Sequence, residues 1–536
     1  MMNNNFSKGM KGSLKTVIKK GLKPASNELI RSVVPVFNNN PFQLGVASGD
    51  PHPDGVVLWT RLAPEPLAEN SCGGMPDYQI PVEWEVAEDQ NFQLVVKQGF
   101  AVALPELAHS VHVELEGLEP SRYYYYRFKT GSYVSPVGRT KTAPAADADI
   151  SSLSFAMASC QAWYHGYFTA YKHMAAEDLD FVFFLGDYIY EYAINTSNLM
   201  RPVELSNAHN TKVVTLDQYR LRYSLFKTDP DLQAAHAAFP WIITWDDHEV
   251  ENNYADEDSQ YGASERQFLL QRADAYQAHY ENLPLRSISA PEGPDMRLYR
   301  NLRYGNLAEF NVLDTRQYRD DYSSSVIVSG SEAEERLDPE RTILGEEQEQ
   351  WLMNNLQHSN ATWNVLAQQV VMAQVDRDPG IGEEYSMDMW DGFVCSRDRI
   401  FSAFKEYQIT NPVVLSGDIH RHAAANLKED FNNPCSETIA SEFVVTSIAS
   451  DSDGSETDHL GPIWLANEHV KLYNAQRGYV RCHVTPDQWR TDHLVLPYIT
   501  RKGAPIETYA SFIVENGQPG LQEVNKLVSA KSNTNG

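Results

Sequence analysis

The sequence lacks the features of a membrane-spanning chain. It contains no uninterrupted apolar run of the roughly 18 residues that a transmembrane helix needs. It contains no twin-arginine pair, and the stretch from Leu29 to Phe37 is too short and interrupted for the core of a signal peptide. Residues 1–40 are basic and rich in asparagine, without sustained periodicity. We therefore expect a flexible or weakly helical leader, and a membrane-surface helix is the alternative.

Cysteine is scarce and widely spaced. The five cysteines include no C-x-x-C pair, which excludes a zinc knuckle and a thioredoxin-like motif. Because their number is odd, at least one thiol is free. No G-x-S-x-G motif occurs, so a serine hydrolase with a nucleophile elbow has no support.

Positive charge is also scarce. Lys and Arg total 44 against 72 Asp and Glu, and the formal net charge is −28. A field of this sign repels phosphate backbones, so we expect no nucleic-acid-binding groove. It would also repel a small phosphate ester unless the site held cations that reverse the local potential.

The length of 536 residues and the change along the chain in the pattern of predicted strands and helices predict two domains. Residues 41–146 contain short β-branched and aromatic runs between turns, which predict an all-β domain. There, Leu118-Glu119-Pro120 before a tyrosine run resembles the corner of a fibronectin-type (Ig-like) sandwich. In residues 147–515 strands alternate with longer helical stretches, including 217–239 and 264–282, as in a layered α/β or α-β-β-α domain. Residues 319–342 are predicted to form an excursion loop, and 516–536 a loose polar tail.

The most informative stretch is the apolar strand that ends at Trp245 and runs directly into Asp246-Asp247-His248-Glu249. So much charge at the end of a buried strand is unfavourable unless a cation compensates it. Three further apolar strands end in polar residues, namely Cys160, then Asp187 with Tyr190, and then Asp418 with His420. The carboxyl ends of strands are the edge at which open α/β sheets bind ligands.

Together these strand ends supply thiolate, phenolate, imidazole and carboxylate. Thiolate and phenolate suit a trivalent or soft ion, carboxylates suit a harder one, and Asp187 could bridge the two. Two cations about 3.5–4 Å apart can clamp a phosphoryl group and activate a bridging water. Each residue alone also fits a simpler role: Cys160 as a small buried hydrophobe, Tyr190 as packing, Gly-Asp as a turn, and Asp-Asp-His-Glu as the start of a helix.

The strand-end motifs resemble those of the alkaline phosphatase D (PhoD-like) family of metallophosphoesterases. They are S-C-Q at 159–161, G-D-Y-I-Y-E at 186–191, W-D-D-H-E at 245–249 and G-D-I-H at 417–420. Further matching blocks lie at 45–51, 58–61, 313–319 and 390–393. The resemblance implies an α-β-β-α sandwich behind the small all-β domain. It also implies an iron ion (Fe3+) held by Cys160, Asp187, Tyr190 and His420.

The resemblance further implies one or two calcium ions (Ca2+), with Asp187 bridging and Asp247 and Asp418 as further ligands. Asp246 would lie beside these ligands or on a third ion. His248 would be the catalytic residue that stabilises charge or donates a proton to the leaving group. The nucleophile would be a metal-bound hydroxide, and no covalent enzyme intermediate would form.

The function implied is hydrolysis of phosphate mono- and diesters at alkaline pH, with small phosphate esters or phosphodiesters as partners. The alternatives are a phospholipase D-like phosphodiesterase and a non-catalytic calcium-binding surface protein. The family is exported through a twin-arginine signal, so a periplasmic or extracellular location is expected. The missing arginine pair leaves a cytoplasmic location open. The sequence gives neither the preferred ester nor the oligomeric state.

Overall fold

The computed structural model describes residues 14, 16–22, 34–322, 325–378 and 380–526. Most of the leader predicted at 1–40 therefore lies outside the described residues. The strands in chain order are β1 (Val46–His52), β2 (Gly55–Arg61), β3 (Ile80–Ala87), β4 (Val95–Ala103), β5 (Ser110–Glu114), β6 (Tyr123–Thr130), β7 (Tyr133–Val134), β8 (Gly138–Lys141), β9 (Leu153–Ala158), β10 (Phe181–Leu185), β11 (Pro240–Thr244), β12 (Arg300–Tyr304), β13 (Ala308–Val312), β14 (Ile327–Ser329), β15 (Trp363–Ala367), β16 (Glu384–Ser386), β17 (Pro412–Ser416), β18 (His422–Lys428), β19 (Thr438–Val444), β20 (Val470–Asn474), β21 (Arg477–Val484), β22 (Gln488–Leu496), β23 (Glu507–Glu515) and β24 (Gln518–Lys526).

The helices connect these strands on the outside of the sheets. They are α1 (Thr169–Met174), α2 (Asn207–Asn210), α3 (Leu216–Lys227), α4 (Pro230–Ala238), α5 (Glu265–Asn282), α6 (Gly345–His358), α7 (Val394–Glu406) and α8 (Gly461–Ala466). Within the described ranges, none of them combines the length and the apolar character that a membrane crossing requires.

Two large sheets form the body of the protein. The first has ten strands in the order β24-β23-β22-β21-β9-β10-β11-β1-β2-β5, and the second has seven in the order β12-β13-β15-β17-β19-β18-β20. Phe155 and Phe183 of the first sheet pack against Phe310, Val365 and Leu415 of the second in one buried core. Two further cores lie on the outer faces, where helices α3–α5 cover the first sheet and α6 and α7 cover the second. The layers are therefore helix, sheet, sheet, helix.

The central strands of each sheet are buried on both faces and are parallel to one another. Every residue of β10 and β11 is buried, and β9, β10 and β11 pair in parallel. Strands β13, β15 and β17 repeat this arrangement in the second sheet. Short runs of Val, Ile and Phe are the composition that such strands require.

The N-terminal region is a β-sandwich, but it shares a sheet with the body of the protein. Strands β3, β4, β6, β7 and β8 form a separate sheet, whereas β1, β2 and β5 extend the ten-stranded sheet. The link is a parallel pairing of β1 with β11, in which Ser48 lies opposite Pro240. As expected for a tyrosine corner, the Tyr124 hydroxyl accepts a hydrogen bond from the Glu119 amide at 3.0 Å.

Three segments differ from the sequence-based expectations. The helix predicted at 217–239 is two helices, because the Asp229 side chain caps a new helix with Pro230 at its first position. The excursion loop at 319–342 contains the short strand β14, and residues 323–324 lie outside the described part. Residues 518–526 of the tail predicted at 516–536 form strand β24, which is hydrogen-bonded to β23 and polar because it is the exposed edge of the sheet. Residues 527–536 of that tail lie outside the described part.

Buried histidines make the stability of the fold depend on pH. Burial lowers the pKa of His112 from 6.5 to about 4. In the unfolded chain this residue binds a proton below pH 6.5, whereas in the folded chain it stays neutral down to about pH 4. Because the unfolded state binds more protons between these values, the free energy of unfolding falls as pH drops, by up to about 1.4 kcal/mol per pH unit.

Urea unfolding between about pH 5 and pH 7 measures this slope. We expect the slope of the free energy of unfolding against pH to be smaller in His112→Gln than in the wild type, since the variant has no imidazole to protonate at this position. His358→Gln is the control, because His358 is exposed, and it should keep the wild-type slope. Equal slopes in wild type and His112→Gln would contradict the prediction.

Candidate metal centre

The candidate centre lies where parallel strands β9, β10 and β11 end, next to the end of β17 in the other sheet. Cys160 and Asp187 each follow the last residue of their strand by two positions. Asp246 follows β11 in the same way, and Asp418 follows β17. The Cys160 thiol lies 3.7 Å from the carbonyl oxygen of Asp418, so the two sheets meet at this point. The four strand ends singled out in the sequence therefore come together.

The backbone at these strand ends is held in an uncommon conformation. Four of the candidate residues have positive φ angles: Cys160 (57°), Asp187 (60°), His420 (56°) and Asp418 (64°). Non-glycine residues rarely adopt this left-handed region, and such strain concentrates at functional sites. Gly186, at φ 100°, allows a close approach, because a Cβ atom there would lie 2.4 Å from the Asp246 Cβ. The glycine of the Gly-Asp pair is thus needed to bring neighbouring strand ends together.

Cys160, Asp187 and His420 form the first cluster. Each offers one potential ligand atom, and these atoms lie within 4.8 Å of one another. The Tyr190 hydroxyl lies 3.0 Å from Nε2 of His420 and 2.6 Å from Oγ of Ser450. The four residues expected to hold iron thus lie side by side.

Carboxylates form the second part of the centre. One group contains Asp187, Asp247 and His248. The other contains Asp246, Asp247 and Asp418. Within each group the potential ligand atoms again lie within 4.8 Å of one another. Asp187 Oδ1 and Asp246 Oδ2 are buried, and in the described part of the chain neither has a hydrogen-bond partner. Buried carboxylate oxygens normally have a donor or a cation, so these two orphaned atoms indicate a missing positive charge.

The pKa values of the site residues also indicate that a cation belongs here. Burial raises the pKa of Asp187 and Asp418 well above the usual value, and neighbouring carboxylates raise it further. Burial, and then the charge of Asp187, raises the pKa of Cys160 and of Tyr190. For His248, burial lowers the pKa, but the charges of Asp247, Asp187 and Glu191 outweigh it and the pKa is raised. The two carboxyls, the thiol and the phenol would hold protons unless a cation stabilised their anionic forms, as it does in metal sites.

Arg316 is a candidate site residue that the sequence did not reveal. Its side chain is fully buried, and it donates to Asp246 at 2.5 Å and to Asp388 at 2.6 Å. It also lies 3.7 Å from the Asp247 carboxylate and 3.5 Å from that of Asp418. One guanidinium therefore offsets part of the negative charge of four carboxylates. The block at 313–319 marked this segment in the sequence without indicating a role for the arginine.

Glu249 fixes the backbone of two strand ends. Its carboxylate accepts hydrogen bonds from the amides of Asp187 at 3.1 Å and Asp246 at 2.9 Å, and it is almost fully buried. The residue lies in the W-D-D-H-E motif, so the motif contains the candidate ligand Asp247 and also a side chain that positions Asp246 and the neighbouring Asp187.

Two further carboxylates orient the histidines. Glu191 lies 2.7 Å from Nδ1 of His248, and Asp451 lies 2.7 Å from Nδ1 of His420. A carboxylate on one ring nitrogen fixes the orientation of the imidazole and leaves Nε2 directed at the site. Glu191 lies in a motif that the sequence marked, whereas nothing in the sequence drew attention to Asp451.

The residues present fit an iron and calcium centre. The first cluster offers sulfur, phenolic oxygen, nitrogen and carboxylate, and the second offers carboxylate oxygen together with His248. Mixed soft and anionic donors suit a trivalent transition metal, and clustered carboxylates suit calcium.

Two cavities of the described chain lie away from the candidate centre. One of about 550 Å³ is lined by residues such as Glu349, Met353 and Arg399. Another of about 280 Å³ is lined by residues such as Asn432 and His469. The lining of neither cavity includes a residue of the candidate centre.

The chain is similar to known phosphatases over most of its length. The family profile of the PhoD-like phosphatase matches residues 155–493, and that of the PhoD-like phosphatase N-terminal domain matches residues 29–144. Alkaline phosphatase D of Bacillus subtilis (strain 168) is 52% identical over 499 residues, which cover 92% of this chain and 84% of that protein. A solved structure of PhoD matches with a TM-score of 0.88 at 51% identity, covering 92% of this chain and 94% of that one.

Proposed function

This chain belongs to the PhoD-like phosphatase family and is a phosphoric ester hydrolase, and from this premise we propose that it hydrolyses phosphate mono- and diesters at alkaline pH with iron(III) and calcium. The observation that carries the proposal is that Asp187 belongs to both clusters of potential ligands. A carboxylate shared in this way suits the bridge of a two-metal site.

In this proposal Cys160, Asp187, Tyr190 and His420 hold the iron, and Asp187, Asp247 and Asp418 hold calcium. When bound, such ions clamp phosphoryl oxygens, offset the negative charge of the site and lower the pKa of a bound water that serves as nucleophile. The Tyr190 hydroxyl lies 3.0 Å from Nε2 of His420, close enough for both atoms to bind one ion. Asp246, which pairs with Arg316, is proposed to position the site and not to bind metal.

His248 is proposed to protonate the leaving group. Glu191 occupies its Nδ1, so its Nε2 is the atom that can carry the transferred proton. The reaction breaks the bond between phosphorus and the ester oxygen; water supplies the new oxygen on phosphorus, and the alcohol leaves with a proton from Nε2.

Removal and return of metals tests the proposal. Protein treated with a chelator should lose hydrolysis of both mono- and diesters, and iron with calcium together should restore it. Full activity after iron and calcium have been removed, verified by elemental analysis, would refute the proposed site.

Asp451→Asn should weaken iron binding about 10- to 100-fold, because the carboxylate that orients His420 is lost. Iron content after dialysis against a competing chelator measures the effect. Asp487→Asn, at an exposed position, is the matched control and should retain iron as the wild type does. An unchanged iron content in Asp451→Asn would show that His420 needs no such support.

We also propose a periplasmic or extracellular location. Calcium sites of extracellular modules bind at about 10⁻⁴–10⁻³ M, concentrations found outside cells. Fractionation of the source cells tests this, and recovery of the protein wholly with cytosolic markers would contradict it.

A further inference from the structure

Two tyrosines lie at the outer edge of His248. The Tyr192 ring packs edge-on against the His248 ring with 5.0 Å between centroids, and the Tyr261 side chain lies beside that of Tyr192. Tyr192 is 36% exposed and Tyr261 is 50% exposed, so their outer faces are open to solvent. Exposed aromatic rings adjoin the residue that would face the leaving group.

The segment that carries Tyr261 is anchored to the metal motif. Ser259 donates a hydrogen bond to Glu251, a buried residue two positions beyond Glu249. The Asn252 side chain donates to Gln260, the neighbour of Tyr261. These contacts tie residues 259–261 to the segment that holds Asp247 and His248. The position of Tyr261 is therefore coupled to the reacting groups.

Arg222 holds the backbone of Tyr192, and Lys212 covers one face of the Tyr261 ring. Arg222 donates to the carbonyl oxygen of Tyr192 at 2.9 Å. The Lys212 ammonium lies 3.5 Å from the centroid of the Tyr261 ring and 3.8 Å from the Glu251 carboxylate. A cation at this distance holds the ring in place and leaves its opposite face free.

Resting on the proposed function, we infer that Tyr192 and Tyr261 form a platform that stacks on a planar ring in the leaving group. A leaving group protonated by His248 lies within reach of this pair, because the Tyr192 ring packs directly against the His248 ring. Aromatic side chains fixed in place bind planar rings by stacking and tolerate variation in the ring. The substrate class is therefore phosphate esters of alcohols that carry an aromatic ring, whether aryl or nucleoside.

Two monoesters of similar size isolate the stacking contribution. Benzyl phosphate and cyclohexylmethyl phosphate each have one ester bond and a similar alcohol, but only benzyl has a π face. We expect wild-type kcat/KM to favour benzyl phosphate about tenfold, since stacking on one aromatic ring is worth about 1–3 kcal/mol. Tyr261→Ala should reduce this preference severalfold, and Tyr261→Phe, which keeps the ring, should retain it.

The control is Tyr78→Ala, because Tyr78 is 51% exposed and lies in the N-terminal region, and this variant should keep the wild-type preference. Unchanged metal content and melting temperature in Tyr261→Ala would show that the variant is folded and loaded. Thymidine 5′-phosphate extends the test, and a Tyr261-dependent kcat/KM with it assigns nucleoside esters to the class. Equal rates for benzyl phosphate and cyclohexylmethyl phosphate, or a preference that survives Tyr261→Ala, would overturn the stacking platform but not the proposed function. No hydrolysis of any ester would overturn the proposed function as well.

Discussion

The His248→Ala variant should lose about 100- to 10,000-fold in kcat on phosphate esters of simple alcohols, the usual contribution of a positioned general acid. An alkoxide is a poor leaving group, and the variant has no proton to give it. The defect should be much smaller with p-nitrophenyl phosphate, whose leaving group departs without protonation. Measuring kcat on both esters separates loss of proton donation from loss of the whole site.

Metal content distinguishes a proton donor from a metal ligand at His248, because the His248 ring also lies within one cluster of potential ligands. We expect iron and calcium in His248→Ala to match the wild type. His459→Ala, an exposed histidine, controls for a general effect of histidine removal. A variant that retains wild-type kcat on simple esters would refute the catalytic role, and one that loses metal would make His248 a ligand.

The Arg316→Met variant should lower the free energy of unfolding by about 3–5 kcal/mol, the usual effect of leaving buried charges without their partner. Methionine fills much of the space of the arginine side chain but leaves Asp246 and Asp388 without the guanidinium that now pairs with both. Urea unfolding of the metal-loaded protein measures the change.

A second arginine provides the matched control for this prediction. Arg399 makes a similar pair with Glu349, but its side chain is 38% exposed. Because solvent screens that pair, Arg399→Met should lower stability by no more than about 1 kcal/mol. If Arg316→Met were no more destabilising than Arg399→Met, the buried guanidinium would not be needed to offset the carboxylates.

The strand ends of the site could be predicted because the relevant signals are local in the sequence. Phe181–Leu185 is an unbroken apolar run, and Gly186-Asp187 directly follows it. A buried parallel strand must end where its polar residues begin, and neighbouring parallel strands end at the same edge. This reasoning places Cys160 and Asp187 together, as the structure has them.

The remaining parts of the site depend on contacts between distant positions. Arg316 is 70 residues from Asp246, and Asp451 is 31 residues from His420. No local pattern records which arginine or carboxylate the fold brings to a given strand end. The pairing of β1 with β11 is another contact of this kind, and it joins the N-terminal sandwich to the ten-stranded sheet.

Local composition also does not reveal a polar segment that is ordered by pairing with a neighbouring strand. Strand β24 has no buried residue and pairs with β23 along only one edge. Its polar sequence is typical of a loose tail, but the backbone hydrogen bonds of an edge strand need no apolar side chains.

Elemental analysis with a visible absorption spectrum of the purified protein tests most directly whether cations hold the strand ends together. We expect iron and calcium to be present, with a broad visible band of ferric iron to which the Tyr190 phenolate contributes, so that Tyr190→Phe shifts and weakens the band. A fully active protein without iron and calcium would contradict the central claim, and a spectrum that is unchanged in Tyr190→Phe would contradict the assignment of Tyr190 as a ligand.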